Sequence, residues 1–158
     1  MSTDTLTPEA HSPGAPAPSG LEQLRDIFQN PDRAPSGMGA TMGIDHVEIE
    51  EGRVVFGATP HAGVYNPIGT VHGGFAATLL DSCLGCAVHS KLKAGQGYTT
   101  LELKVAYHRA MTTATGPIRA EGVVINMGRR AAFAEGRLTD LNGRLYATAT
   151  STLLVFER

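Results

Sequence analysis

Residues 66–90 read NPIGTVHGGFAATLLDSCLGCAVHS. Turn formers open the stretch, His72-Gly73-Gly74 follows, and about sixteen mostly apolar or small residues complete it. Such a run exceeds a usual buried strand and falls short of the ~20 residues that span a bilayer, so it reads as a buried helix. Phe75, Leu79, Leu80, Leu84, Ala87 and Val88 leave that helix little polar circumference, and most of its sides need cover. One narrow stripe departs from this: Thr78, Asp81, Ser82, Gly85 and His89 recur at helical spacing. Asp81 is the only charged residue between Gly73 and Ser90. A carboxylate in an apolar helix is costly unless it is hydrogen-bonded or used. Asp81 is therefore a candidate functional carboxylate.

The whole chain sets wider bounds. Its 158 residues suffice for one domain that buries most of its apolar surface without disulfide staples. A net charge of −2 with scattered basic residues argues against nucleic acid and against an anionic membrane surface as partners. Tryptophan is absent and aromatics are few, so a stacking platform for single strands is not expected. The opening MSTDTLTPEAHSPGAPAPSG has neither a basic n-region nor an apolar h-region; no secretory signal and no transmembrane helix are expected, which points to the cytoplasm. Cys83 and Cys86 lie well inside the helix, whereas a redox pair sits at a helix start where its thiolate is stabilised. They read as buried structural thiols. Cys83, Cys86 and His89 do not converge easily on one ion from a single uninterrupted helix, and no second ligand pair appears elsewhere. Neither a metal nor a cofactor is expected.

Outward from the central stretch, residues 1–18 are rich in Pro, Ser, Thr, Ala and Gly and are expected to be a disordered tail ahead of a single domain over 19–158. From Ser19, SGLEQLRDIFQNP reads as a short amphipathic helix with Leu21, Leu24, Ile27 and Phe28 on one face, ended by Pro31. Strands are expected over 40–50 and 53–59, joined at Glu51-Gly52. After the helix, Tyr98 to His108 alternates Leu101, Leu103, Val105 and Tyr107 against Thr100, Glu102, Lys104 and Ala106. Extended runs at 117–127, 130–140 and 144–156 follow, with hairpin signals at Met127-Gly128 and Asn142-Gly143. The expectation is an α+β fold: two strands, the long helix, then a four-stranded meander, all in one curved antiparallel sheet around the helix. The chain has only its short amino-terminal helix left to cover the other side, so a homodimer is expected.

Gly73 and Gly74 stand where loop becomes helix. There backbone N–H groups lack intrahelical acceptors and the helix dipole favours negative charge, a setting suited to a developing oxyanion. Asp81 lies eight residues further, about 12 Å along the axis, too far to act on the same carbonyl within one subunit. Two antiparallel helices across a two-fold axis would pair Asp81 of one with Gly73 of the other, with Gly85 leaving room on that face.

The combination of Asn66, His72-Gly73-Gly74, the spaced Asp81 and the strand TTLELKV resembles the hotdog-fold acyl-CoA thioesterases, in particular the PaaI-like branch named for phenylacetic acid degradation. The resemblance continues through GRRAAFAEG and ATATSTLLVF and covers about residues 40 to 156. It implies a hotdog fold and hydrolysis of an aryl-acyl or short- to medium-chain acyl-CoA to free acid and coenzyme A. It further implies Asp81 as general base or nucleophile and the Gly73 N–H as the carbonyl's polarising donor. Asn66 and His72 match positions that orient water or the substrate carbonyl, and Thr100 (or Thr99, given the length of the preceding turn) matches a hydroxyl that holds the water. Gly74, Gly128, Arg129 and Arg130 match substrate-binding positions, the arginines suiting the coenzyme A phosphates. Relatives commonly assemble dimers into tetramers, so a homotetramer is implied. Two other readings stand beside this one. One is a non-catalytic acyl-CoA binding or regulatory hotdog protein. The other is an enoyl-CoA hydratase, whose pattern places a histidine five residues after the aspartate, where this chain has Cys86.

Overall fold

The computed structural model describes residues 17–30, 32–33 and 37–158, apart from the side chain of His46. Helix α1 spans Gly20–Gln29, α2 spans Gly37–Thr41 and α3 spans Gly73–His89. Strands β1 (Ile44–Glu50), β2 (Arg53–Ala58), β3 (Gln96–Tyr107), β4 (Ile118–Met127), β5 (Ala131–Asp140) and β6 (Leu145–Glu157) form one sheet in the order β1-β2-β4-β5-β6-β3. Every neighbouring pair is antiparallel. The expected tail over 1–18 lies almost wholly outside the described residues, as does Pro31.

Two expectations need correction. Residues 37–41 are the short helix α2 rather than the start of a strand, and Gly43, at φ +66°, turns the chain from α2 into β1. The last four strands are not a simple meander. β4, β5 and β6 are, but β3 lies on the far edge and pairs with β6 from Gln96↔Glu157 to Tyr107↔Ala147. Residues 108–117, too many for a tight hairpin, carry the chain back past β6 and β5 to β4. The two hairpins expected from Gly128 and Asn142-Gly143 do form: Gly128 N–H donates to the Ala131 carbonyl, and Asp140 Oδ1 accepts from the Asn142 and Arg144 N–H groups.

The sheet curls around α3. Leu79, Leu80, Cys83, Leu84, Ala87 and Val88 are 0% exposed and form the centre of the core with Val54, Phe56, Ile118, Leu138 and Leu153. The helix comes unusually close to β4 at Gly122, where a Cβ would stand 2.6 Å from the Cys83 carbonyl carbon and oxygen. The least buried positions of α3 beyond its first turn are Ala77, Thr78, Asp81, Ser82, Cys86 and His89. Of the polar stripe read from the sequence, Thr78, Asp81, Ser82 and His89 lie on the strip that the sheet leaves partly uncovered, whereas Gly85 is buried.

Helix α1 starts at a capping box, Ser19 Oγ accepting from the Glu22 N–H while the Glu22 carboxylate accepts from the Ser19 N–H. It is pinned at the end of α3 by Gly20 N–H to Leu92 carbonyl (2.9 Å) and by a Gln23 Oε1–His89 Nε2 contact of 3.2 Å. Burial, and secondarily the nearby Arg158, hold His89 below the usual histidine range. The folded state therefore favours neutral His89, and the unfolded chain takes up the proton first. Stability from this group is complete above the ordinary histidine pKa of ~6.5 and declines as the pH falls through it. A Tm series from pH 7.5 to 5 should show a loss of stability on acidification that is smaller in His89→Gln; an unchanged slope would remove His89 as the cause.

Candidate active site

A β-bulge decides the site. Pairing of β3 with β6 slips between Thr100 and Glu102, leaving the 62% exposed Leu101 without a partner. Uninterrupted alternation would place Thr100 on the side opposite Leu103 and Val105. The bulge lets Tyr98 and Thr100 before it, and Leu103 and Val105 after it, all face α3. Thr100 Oγ1 consequently donates to Asp81 Oδ1 at 3.2 Å. Thr99 is exposed and makes no such bond.

Asp81 is half-buried and lines a cavity of about 550 Å³ together with Ser82, Cys86, Tyr98 and Thr100. The opposite walls come from α1, α2, β1 and β2, through Phe28, Ala40, Val47 and Phe56 among others. The place beside Gly85 that sequence reasoning left for a partner helix is taken within the chain: a Cβ there would stand 2.7 Å from the Tyr98 hydroxyl. Burial, with Cys86 and Asp81 close by, raises the Tyr98 phenol, so it stays protonated. Burial also pushes the Cys86 thiol up to about 12, and Cys83 is raised further. Cys83 is buried as expected, whereas Cys86 is half-buried and faces the cavity.

The amino end of α3 is a separate cluster. His72 caps the helix, its Nδ1 accepting from the Gly74 N–H at 2.8 Å, which leaves the proton of the neutral ring on Nε2. Asn66 organises the loop before it: its Oδ1 accepts from the Ile68 and Thr70 N–H groups, and its Nδ2 donates to Thr70 Oγ1. Neither side chain lines the Asp81 cavity. The Tyr107 hydroxyl donates to the Gly73 carbonyl at 3.0 Å, and its ring fills the place where a Gly73 Cβ would stand. Among the described residues no group accepts from the Gly73 N–H. Gly128, Arg129 and Arg130 form the exposed β4–β5 turn, and neither guanidinium has an ion-pair partner among the described residues. Sequence reasoning missed Tyr98 and Tyr107. Tyr98 was findable, because it stands two residues before Thr100 and so shares its face.

One long helix wrapped by a curled antiparallel sheet is the hotdog fold. The family model of the thioesterase superfamily matches residues 68–147. The chain belongs to the thioesterase superfamily, and the chemistry of that class is thioester hydrolysis. It is 26% identical over 119 residues to a 1,4-dihydroxy-2-naphthoyl-CoA hydrolase from Listeria monocytogenes, covering 75% of this chain and 95% of that protein. It is 28% identical over 111 residues to the proofreading thioesterase EntH from Klebsiella pneumoniae, covering 70% and 80% respectively. Among solved structures, a mutant of the phenylacetic acid degradation protein PaaI from Thermus thermophilus superposes with a TM-score of 0.66 at 26% identity, over 73% of this chain and 96% of that one. No helix among the described residues is long and apolar enough to cross a membrane.

Proposed function

We propose that this protein hydrolyses acyl-CoA thioesters, with Asp81 as the carboxylate that brings water to the thioester carbon. The observation that carries the proposal is the Asp81–Thr100 pair. It joins the one carboxylate of α3 to a fixed hydroxyl at the wall of a cavity large enough for an acyl group. As general base, Asp81 takes a proton from water while the water oxygen bonds to the carbonyl carbon. The carbonyl oxygen becomes an oxyanion, the C–S bond breaks, and the coenzyme A sulfur leaves with the proton returned from Asp81. As nucleophile, an Asp81 oxygen bonds to the carbonyl carbon, the C–S bond breaks and coenzyme A leaves as its thiolate. Water then splits the mixed anhydride into free acid and the Asp81 carboxylate, its released protons passing to the thiolate and to solvent. Single turnover in oxygen-18 water tests the second route: label in the Asp81 carboxylate, left when water attacks the aspartyl carbon, identifies the anhydride.

The oxyanion needs a donor. The Gly73 N–H has no acceptor among the described residues, whereas the Gly74 N–H is already taken by His72. Gly73 lies eight residues before Asp81, about 12 Å along the helix axis, so the two meet on one carbonyl when the donor comes from a second protomer packed antiparallel. The active unit is then a homodimer with two equivalent sites, itself able to pair into a tetramer. His72 and Asn66 set the geometry of the Gly73 peptide. Arg129 and Arg130, without ion-pair partners among the described residues, reach the coenzyme A phosphates.

Release of free thiol from a panel of aryl-acyl and aliphatic acyl-CoAs tests the proposal. Turnover is expected for at least one group; binding without cleavage of any thioester would make this an acyl-CoA sensor instead. Activity from a monomer at working concentration would remove the shared site. Thr100→Val should lower kcat/KM by about tenfold or more through loss of one hydrogen bond to a charged group, while Thr99→Val should leave it within a factor of two or so.

A further inference from the structure

The cavity that holds Asp81 runs beneath the carboxyl-terminal turn of α1. The apolar face of that helix divides in the structure. Leu24 is 2% exposed in the core, whereas Ile27 and Phe28, one turn on, are 46% and 37% exposed and line the cavity instead. Phe28 meets Phe56 with ring centroids 5.2 Å apart and planes at 53°, so the two rings form a tilted aromatic corner. Val47 and Ile44 of β1 continue the same wall. The helix bearing this wall is not loose: its start is tied to Leu92 and His89, and Asp26 near its end pairs with Arg33 at 2.6 Å.

We infer that Ile27 and Phe28 of α1 form the size-setting wall of the acyl site, within the same subunit as the Asp81 that acts on the thioester. The inference rests on the thioesterase reading and adds to it the location and chemistry of the acyl group. Coenzyme A is polyanionic and hydrogen-bonds along its length, so it gains little from a wall of isoleucine, valine and phenylalanine. An apolar acyl group gains from desolvating two large side chains that the fold leaves open. The wall thus takes an apolar chain or ring, and the bulk of Phe28 limits how long that chain can be.

The test compares kcat/KM for straight-chain acyl-CoAs from butanoyl to dodecanoyl in wild type, Phe28→Ala and Phe28→Trp. Pocket contacts discriminate by roughly 10–200-fold per methylene. The dodecanoyl-to-butanoyl ratio should therefore rise about tenfold or more in Phe28→Ala and fall by a similar factor in Phe28→Trp. Ratios unchanged in both variants, with wild-type Tm, would overturn the inference. Calorimetric titration of the same thioesters into Asp81→Asn, with and without Phe28→Ala, keeps the two ideas apart. If no thioester is cleaved the hydrolase reading fails, and the wall still stands or falls on whether the affinity ratio moves.

Discussion

Asp81→Asn is expected to lower kcat for thioester hydrolysis by about a thousandfold while leaving the fold and the oligomer unchanged. Positioned acid–base groups contribute ~10²–10⁴-fold, and among the described residues the only other carboxylate lining the cavity is Asp45 of β1. The substitution is close to isosteric. Asparagine keeps an Oδ1 that accepts from Thr100 Oγ1, now 3.2 Å from the aspartate oxygen, so the strand and helix stay in register. What it loses is the capacity to hold a proton or to attack. Thiol release under saturating substrate, with Tm and sedimentation measured in parallel, reads the effect. Wild-type turnover in the variant would make Asp81 a structural carboxylate and would end the mechanism proposed above.

The largest effect on stability is expected at Gly122, which touches no part of the chemistry. In an open strand, Gly→Ala would be favourable by roughly 0.5–1 kcal/mol because alanine has less backbone freedom to lose. Here the new Cβ would stand 2.6 Å from the Cys83 carbonyl atoms and 2.8 Å from the Leu84 nitrogen, all backbone of α3. The helix must then move off the sheet, and Leu80 and Leu84 lose their packing against β5 at Gly136. Overpacking of this kind costs about 1–3 kcal/mol or more, a fall in Tm of about 3–12 °C for a domain of this size. Gly128→Ala is the control, since its Cβ would meet only the Ala131 carbonyl oxygen at 3.4 Å. Thermal denaturation should separate the two variants clearly; equal Tm values would mean that α3 has room to shift.

The sequence by itself determined the helix, its apolar bulk, the narrow strip bearing Asp81, and five of the six strand positions to within about two residues. These are local properties: a 3.6-residue or a two-residue period survives in the sequence because each element must show one face to the core. It also determined that Gly73 and Asp81 are too far apart to share a carbonyl, since helical rise is fixed. The tertiary structure alone decided three things. It put β3 on the far edge, because strand order depends on pairing between segments distant in the chain, Gln96 with Glu157 for instance. It placed Thr100 against Asp81, because a one-residue bulge at Leu101 reverses the facing of half a strand and leaves no mark on simple alternation. And it turned Ile27 and Phe28 from an expected core face into a cavity wall, because what a helix face meets is set by the elements that curl around it rather than by the face itself.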